Sequence, residues 1–236
     1  MIETFVALLF AHAVADFVLQ TCWIVQRKRS PAVLLLHAAI VLVTAQVAVG
    51  RLDAWELVAL AGAHLVIDAI KAYTLPRGLA FFLADQAAHL ATIMAVAVLA
   101  DDLWAGGLWA GLPWLLPLMA GTAGLILATR AGAFAIGFLM EPWTNLDLPL
   151  GLPNGGFLIG ILERGLIFIL VLVGQPGSIG FLIAAKSVLR FDTTSKDQRA
   201  GEYVIVGTLA SFGWAIAVSY ATVGLLRVLP PLGGVP

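Results

Sequence analysis

The sequence predicts an all-α fold, a polytopic transmembrane helix bundle of seven to eight helices with a duplicated helical hairpin in its first half. Three observations predict it. Of 236 residues, 61% are hydrophobic and only 11% charged, against about 25% charged in a soluble domain, and the mean hydropathy is +1.00. The apolar residues fall into stretches close to the roughly 20 residues that a bilayer-spanning helix requires. The 13 basic residues gather at alternate ends of those stretches. So apolar a chain cannot hide its surface in one aqueous core, which removes the soluble-enzyme and nucleic-acid-binding classes. A net charge of −1 and a single cysteine, Cys22, offer neither a basic tail nor an internal disulfide.

Taken in order, the candidate spans are 4–23, 31–49, 54–74, 78–100, 113–140, 156–173, 178–191 and 201–228. The first lacks the basic start of a signal peptide and carries His12 and Asp16, so it reads as a true helix. Ser30 then Pro31 is an N-cap followed by proline at the first helical position, and Pro76 with Gly78 separates the third span from the fourth. The seventh span is short and reads as a half-helix or re-entrant piece, which leaves seven or eight crossings open. Pro142, Pro149, Pro153 and Asn154 mark 141–155 as a loop between a transmembrane half, 1–140, and a second half, 156–236.

Cytoplasmic ends are enriched in Lys and Arg. With the amino terminus outside, Arg27, Lys28, Arg29, Lys71, Arg77, Lys186, Arg190, Lys196 and Arg199 fall inside, while Arg51 and Arg227 fall outside. Trp23 and Trp143 near inner ends, and Trp55, Trp104, Trp109 and Trp114 near outer ones, fit the same frame.

All four histidines, His12, His37, His64 and His89, lie in the first four spans, one per helix, and Asp16, Asp68 and Asp85 accompany them. His12 and Asp16, His64 and Asp68, and Asp85 and His89 are each four apart, so each pair shares a helix face. The order reverses in the fourth span. In an antiparallel hairpin turning between Pro76 and Arg77, that reversal sets His64 level with His89 and Asp68 level with Asp85. The two layers are about 6 Å apart and lie roughly 10 and 16 Å from the inner ends. A shift of 52 residues carries Ala11, His12, Val14, Asp16 and His37 onto Ala63, His64, Val66, Asp68 and His89, the mark of a duplicated hairpin. The repeat sets His37 level with His89, whereas the Ser30–Pro31 start sets it about one turn nearer the cytoplasm.

Ionisable groups cost several kcal/mol in a bilayer unless paired or solvated, and their default reading is functional. Imidazole and carboxylate without thiolate is the ligand set of a Zn, Mn or Fe site, with Zn first. His12, Asp16, His37, His64, Asp68, Asp85 and His89 would suffice for one or two ions. A carboxylate not wholly used as a ligand, Asp16 or Asp85, would take a proton from water, making a metal-dependent hydrolase acting on a lipid or lipid-linked substrate from the cytoplasmic side. Three alternatives stand beside it. The pairs could simply join helices, carry a metal ion or protons across the membrane, or ligate haem, which gives the aspartates no role.

In the second half, Glu163 and Arg164 lie within a span, Lys186 and Arg190 share a face, and Glu202 opens the last helix. Lys186 is the expected partner of Glu163, and Glu202 that of Arg164 or Arg190. Arg164, Lys186 and Arg190 form either one side of a structural ion-pair network or a site for an anionic headgroup. Gly156 and Gly160 form a weak helix-packing motif.

The motifs HxxxDFxLQ at 12–20, LLLH at 34–37, HLxIDxIK at 64–71, DQxxHL at 85–90, GQxxxIGFLIAAKSxxRF at 174–191 and EYxxxGTLxS at 202–211 resemble a bacterial multi-pass family known as domain of unknown function 3307. The resemblance implies a prokaryotic plasma-membrane protein and supplies no reaction. More loosely, His and Asp on early helices are similar to membrane-bound metal-dependent hydrolases and to seven-helix zinc hydrolases that cleave lipid amides, whose exact spacings are not reproduced.

Overall fold

The computed structural model describes residues 1–143, 152–194 and 198–229, with side chains for all of these except 189–194. The regular secondary structure of the described residues is all helical, with no strand. Helix α1, Ile2–Val14, runs into a π-helical turn over Ala15–Leu19, and a short α2, Cys22–Arg27, follows. Then come α3 (Pro31–Val49), α4 (Trp55–Thr74), α5 (Leu79–Leu99) and α6 (Leu115–Ile126). A second π-helical turn, Leu127–Ala131, leads into α7 (Gly132–Met140), α8 (Gly155–Leu172), α9 (Ile179–Thr194) and α10 (Gln198–Val228). Seven helical segments among the described residues are long and apolar enough to cross a membrane, and α9 is not one of them. The short seventh segment is therefore a helix of 16 residues that falls below spanning length.

The sequence signals for ends hold. Ser30 takes the N-cap position of α3 without a side-chain capping hydrogen bond, Pro31 is its first residue, and Gly50, at φ 75°, closes the helix in the left-handed conformation that favours glycine. The first span is shorter than expected, because Gln20 turns the backbone extended and Thr21 caps α2 as a separate helix.

Compact units are Met1–Ile126 with the segment from Gly224, and Leu127–Val223. The break falls inside the fifth span where the π-helical turn begins, while most of the loop expected at 141–155 lies outside the described residues. In the first unit α1 packs against α3, α5 and α6, and α4 packs between α3 and α5. Toward the amino-terminal end of α1 the core is dense and apolar, with Val6, Leu8, Ala45, Val49, Leu57, Ile93, Leu103 and Trp104 all buried. The 100–114 loop covers that end. The Thr4 hydroxyl donates to the Asp101 carbonyl and accepts from the Trp104 N–H, and Trp109 donates to the Val47 carbonyl. A Cβ on Gly107 would stand 2.0 Å from the Val49 carbonyl oxygen, so only glycine lets the loop come this close.

In the second unit Ile167, Val171, Ile179, Phe212 and Ala215 make the buried core of α8, α9 and α10.

Candidate metal centre

Each cluster residue sits on the face its spacing predicts, and none is more than 8% exposed. Asp16 belongs to the π-helical turn at the foot of α1, a widening that shifts a side chain off the regular helical register. His37 comes from α3, His64 and Asp68 from α4, and Asp85 and His89 from α5.

Four side-chain atoms converge at the middle of the cluster. The Nε2 atoms of His37 and His64 are 3.2 Å apart. Asp16 Oδ1 closes a triangle on that edge at 3.3 and 3.4 Å, and Asp68 Oδ2 closes another at 3.5 and 3.5 Å. A tetrahedral ion with ligands at about 2.0–2.1 Å holds them about 3.3–3.4 Å from one another. These five separations match those between ligand atoms around one small cation, so the group could hold one. His12, Asp16 and His64 form a further group of possible ligands, as do Asp68, Asp85 and His89, with the atoms of each within 4.8 Å.

The cluster is short of hydrogen-bond partners. Six buried side-chain atoms lack one among the described residues, and all six are here: His12 Nδ1, Asp16 Oδ1, His37 Nδ1, Asp85 Oδ1 and both ring nitrogens of His89. Each such atom costs about 1–3 kcal/mol. A divalent ion supplies what the carboxylate oxygens and the unprotonated imidazole nitrogens among them need, so the donor set fits a metal.

The layers expected across the α4–α5 hairpin are present. The His64 and His89 ring centroids lie 4.1 Å apart, and Asp68 and Asp85 fall within one ligand group. His37 reaches His64 in one layer and Asp16 and Asp68 in the other, so it bridges them.

Four residues of the site were not assigned roles from sequence. Lys28 donates to both oxygens of Asp68 at 2.7 Å, and Lys71 pairs with Asp85. Gln20 donates to His37 Nε2 at 2.8 Å, a lone pair that an ion there would take over, and His12 Nε2 donates to Gln86 Oε1 at 3.2 Å while its Nδ1 stands 3.9 Å from Asp16 Oδ2. The signal was in the motifs, which end on Gln20 and Lys71 and contain Gln86. A narrow cavity with room for about one water adjoins the His layer, lined by His12, His64, His89, Thr92 and apolar residues including Leu8 and Val41.

In the second unit Lys186 pairs with Glu163 at 2.7 Å, the pairing expected from sequence. Arg164 does not take Glu202. It is buried, donating through Nε and Nη2 to the Thr129 carbonyl and through Nη1 to the Ser211 hydroxyl. The π-helical turn explains this, since its altered hydrogen bonding turns the carbonyls of Leu127 and Thr129 toward Trp214 and Arg164. The Gly156–Gly160 motif serves Arg164 as well, because a Cβ on Gly160 would lie 2.9 Å from Arg164 Nη1 while one on Gly156 meets nothing within 4 Å. The Arg190 side chain lies outside the described residues.

Residues 4–105 match the model of a family described as "Protein of unknown function (DUF3307)". The match spans the four helices that carry the cluster and stops before the motifs at 174–191 and 202–211. No curated protein and no solved structure matches the chain.

Proposed function

From a chain whose residues 4–105 carry the DUF3307 domain, we propose a metal-dependent hydrolase built inside a prokaryotic plasma membrane, with its amino terminus outside and its substrate a lipid or lipid-linked molecule reached from the cytoplasmic side. The observation that carries it is the set of five contacts of 3.2–3.5 Å joining Asp16, His37, His64 and Asp68. Zinc is the first choice for such a donor set, with manganese and iron as alternatives. A divalent ion there supplies Lewis acidity and makes water nucleophilic near neutral pH.

The two aspartates expected to share the catalytic role separate here. Asp16 offers its Oδ1 to the convergent set, whereas Asp85 lies outside it, its Oδ2 held by Lys71 and its Oδ1 3.8 Å from His89 Nδ1. In this reading Asp85 takes the proton from the attacking water and returns it to the leaving group. Within the second unit Arg164 spends its donors on Thr129 and Ser211 and Lys186 pairs with Glu163, which favours the structural ion-pair network there over a headgroup site.

Transport of a metal ion or protons would use the same residues and needs a path to both faces. Leu8, Val49, Leu57, Leu103 and Trp104 close the amino-terminal end with apolar packing. One-sided access favours the enzyme.

Protein purified without chelator is expected to hold about one transition-metal ion per chain by elemental analysis. A metal-free preparation sinks the proposal. His64→Ala and Asp68→Ala should each lower the content at least tenfold, while Lys186→Ala leaves it unchanged. Equal loss from all three would mean general destabilisation in place of ligation.

A further inference from the structure

Lys28 and Lys71 are tied into the cluster by specific contacts. The Lys28 ammonium sits on both oxygens of Asp68, one of which also faces His37 and His64. Its loop is fastened to the end of α4, where Arg29 Nε donates to the Ala72 carbonyl and the Tyr73 hydroxyl donates to the Arg29 carbonyl. Lys71, one turn below Asp68, reaches across to Asp85. Both ammonium groups thus stand against buried carboxylates at the Lys-rich end of the bundle.

Their charges constrain what else the centre can hold. Asp16, Asp68 and Asp85 contribute three negative charges, the two lysines two positive ones, and neutral histidines none, so the cluster carries one net negative charge. One divalent ion turns this to one positive, and two would leave three. Uncompensated charge inside a bilayer costs several kcal/mol. We infer that Lys28 and Lys71 are fixed second cations of the metal centre, which hold it to one divalent ion and make it a receptor for one monoanion, the chemistry of a carboxylate or phosphodiester group. The inference rests on the metal-binding reading above and adds to it the stoichiometry and the ligand class. His89, fully buried and with both nitrogens unpartnered beside His64, leaves polar atoms for such a ligand to meet.

The test uses full-length protein stripped with chelator and reloaded with Co²⁺, whose visible absorption reports ligands entering its coordination sphere. One Co²⁺ per chain is expected, with azide shifting the spectrum at least about tenfold more tightly than the neutral ligand pyridine. Lys28→Met, which makes the loaded centre neutral without an anion, should weaken azide at least about tenfold and bind Co²⁺ more tightly. Lys28→Arg should retain the wild-type behaviour. Two Co²⁺ per wild-type chain, pyridine binding as tightly as azide, or azide unaffected by Lys28→Met would each overturn the inference while leaving the metal site standing. Absence of any bound Co²⁺ would remove both. Because the azide and pyridine comparison needs only the wild-type chain, a variant that fails to fold does not shield the proposal.

Discussion

His89 is the least satisfied side chain of the site. Its ring is buried against His64, and neither nitrogen has a hydrogen-bond partner among the described residues, Nδ1 standing 3.8 Å from Asp85 Oδ1. Without metal the penalty is about 1–3 kcal/mol for each unpartnered atom, and phenylalanine keeps the ring while removing both. His89→Phe is therefore expected to raise the stability of the chelator-stripped protein by about 1–3 kcal/mol. Added zinc should stabilise wild type and variant alike, since the four convergent ligand atoms are untouched and binding to the native state alone raises stability. Thermal unfolding with and without zinc reads both effects, and a stripped variant that melts below the wild type would refute the argument. At this scale the seven His and Asp residues were legible, because titratable groups stand out in apolar spans and spacings of four put each pair on one face. Lys28 and Lys71 were legible only as markers of the cytoplasmic ends. A lysine stem is long enough to begin at a helix end and finish on a buried carboxylate, so periodicity does not reveal which of its two roles it plays.

Among the elements, the two π-helical turns do what regular helices could not. One carries Asp16 at the edge of the convergent set, and the other presents the Thr129 carbonyl to Arg164. Neither is visible in a hydropathy pattern, because a π turn changes the register by a residue while leaving composition untouched. The same limit hid α2, which merges with α1 in an apolar run and separates only through the Gln20 turn and Thr21 cap. Glycines near Arg164 test the packing around it. A Cβ on Gly132 would fall 2.7 Å from Trp214 and 3.0 Å from Arg164, so Gly132→Ala should cost about 1–3 kcal/mol. Gly156→Ala, with open space around it, should be within about 0.5 kcal/mol of neutral. Tryptophan fluorescence during thermal unfolding in detergent separates the two, and equal effects would show that Gly132 is not constrained by Arg164.

For the whole molecule the open quantity is orientation, and the sequence provides its own reporter. The long apolar spans and the reversed order of Asp85 and His89 were legible because a bilayer sets helix length and a short hairpin sets register, while seven or eight crossings stayed open until α9 fell short. Which end faces the cytoplasm rests on the nine basic residues assigned to it. The only cysteine, Cys22, is exposed at the start of α2, beyond the foot of α1 and a few residues before Arg27, Lys28 and Arg29. A thiol placed there faces the cytoplasm if the amino terminus is outside. Membrane-impermeant maleimide should therefore label the wild type in inverted vesicles and leave it unlabelled in intact spheroplasts. Leu108 lies in the loop at the opposite end and is 80% exposed, so Leu108→Cys combined with Cys22→Ser should give the reverse pattern. Labelling of Cys22 from outside would invert the bundle. The lysines and the candidate metal centre they flank would then open to the exterior, and the proposed substrate would have to reach it from the outer leaflet.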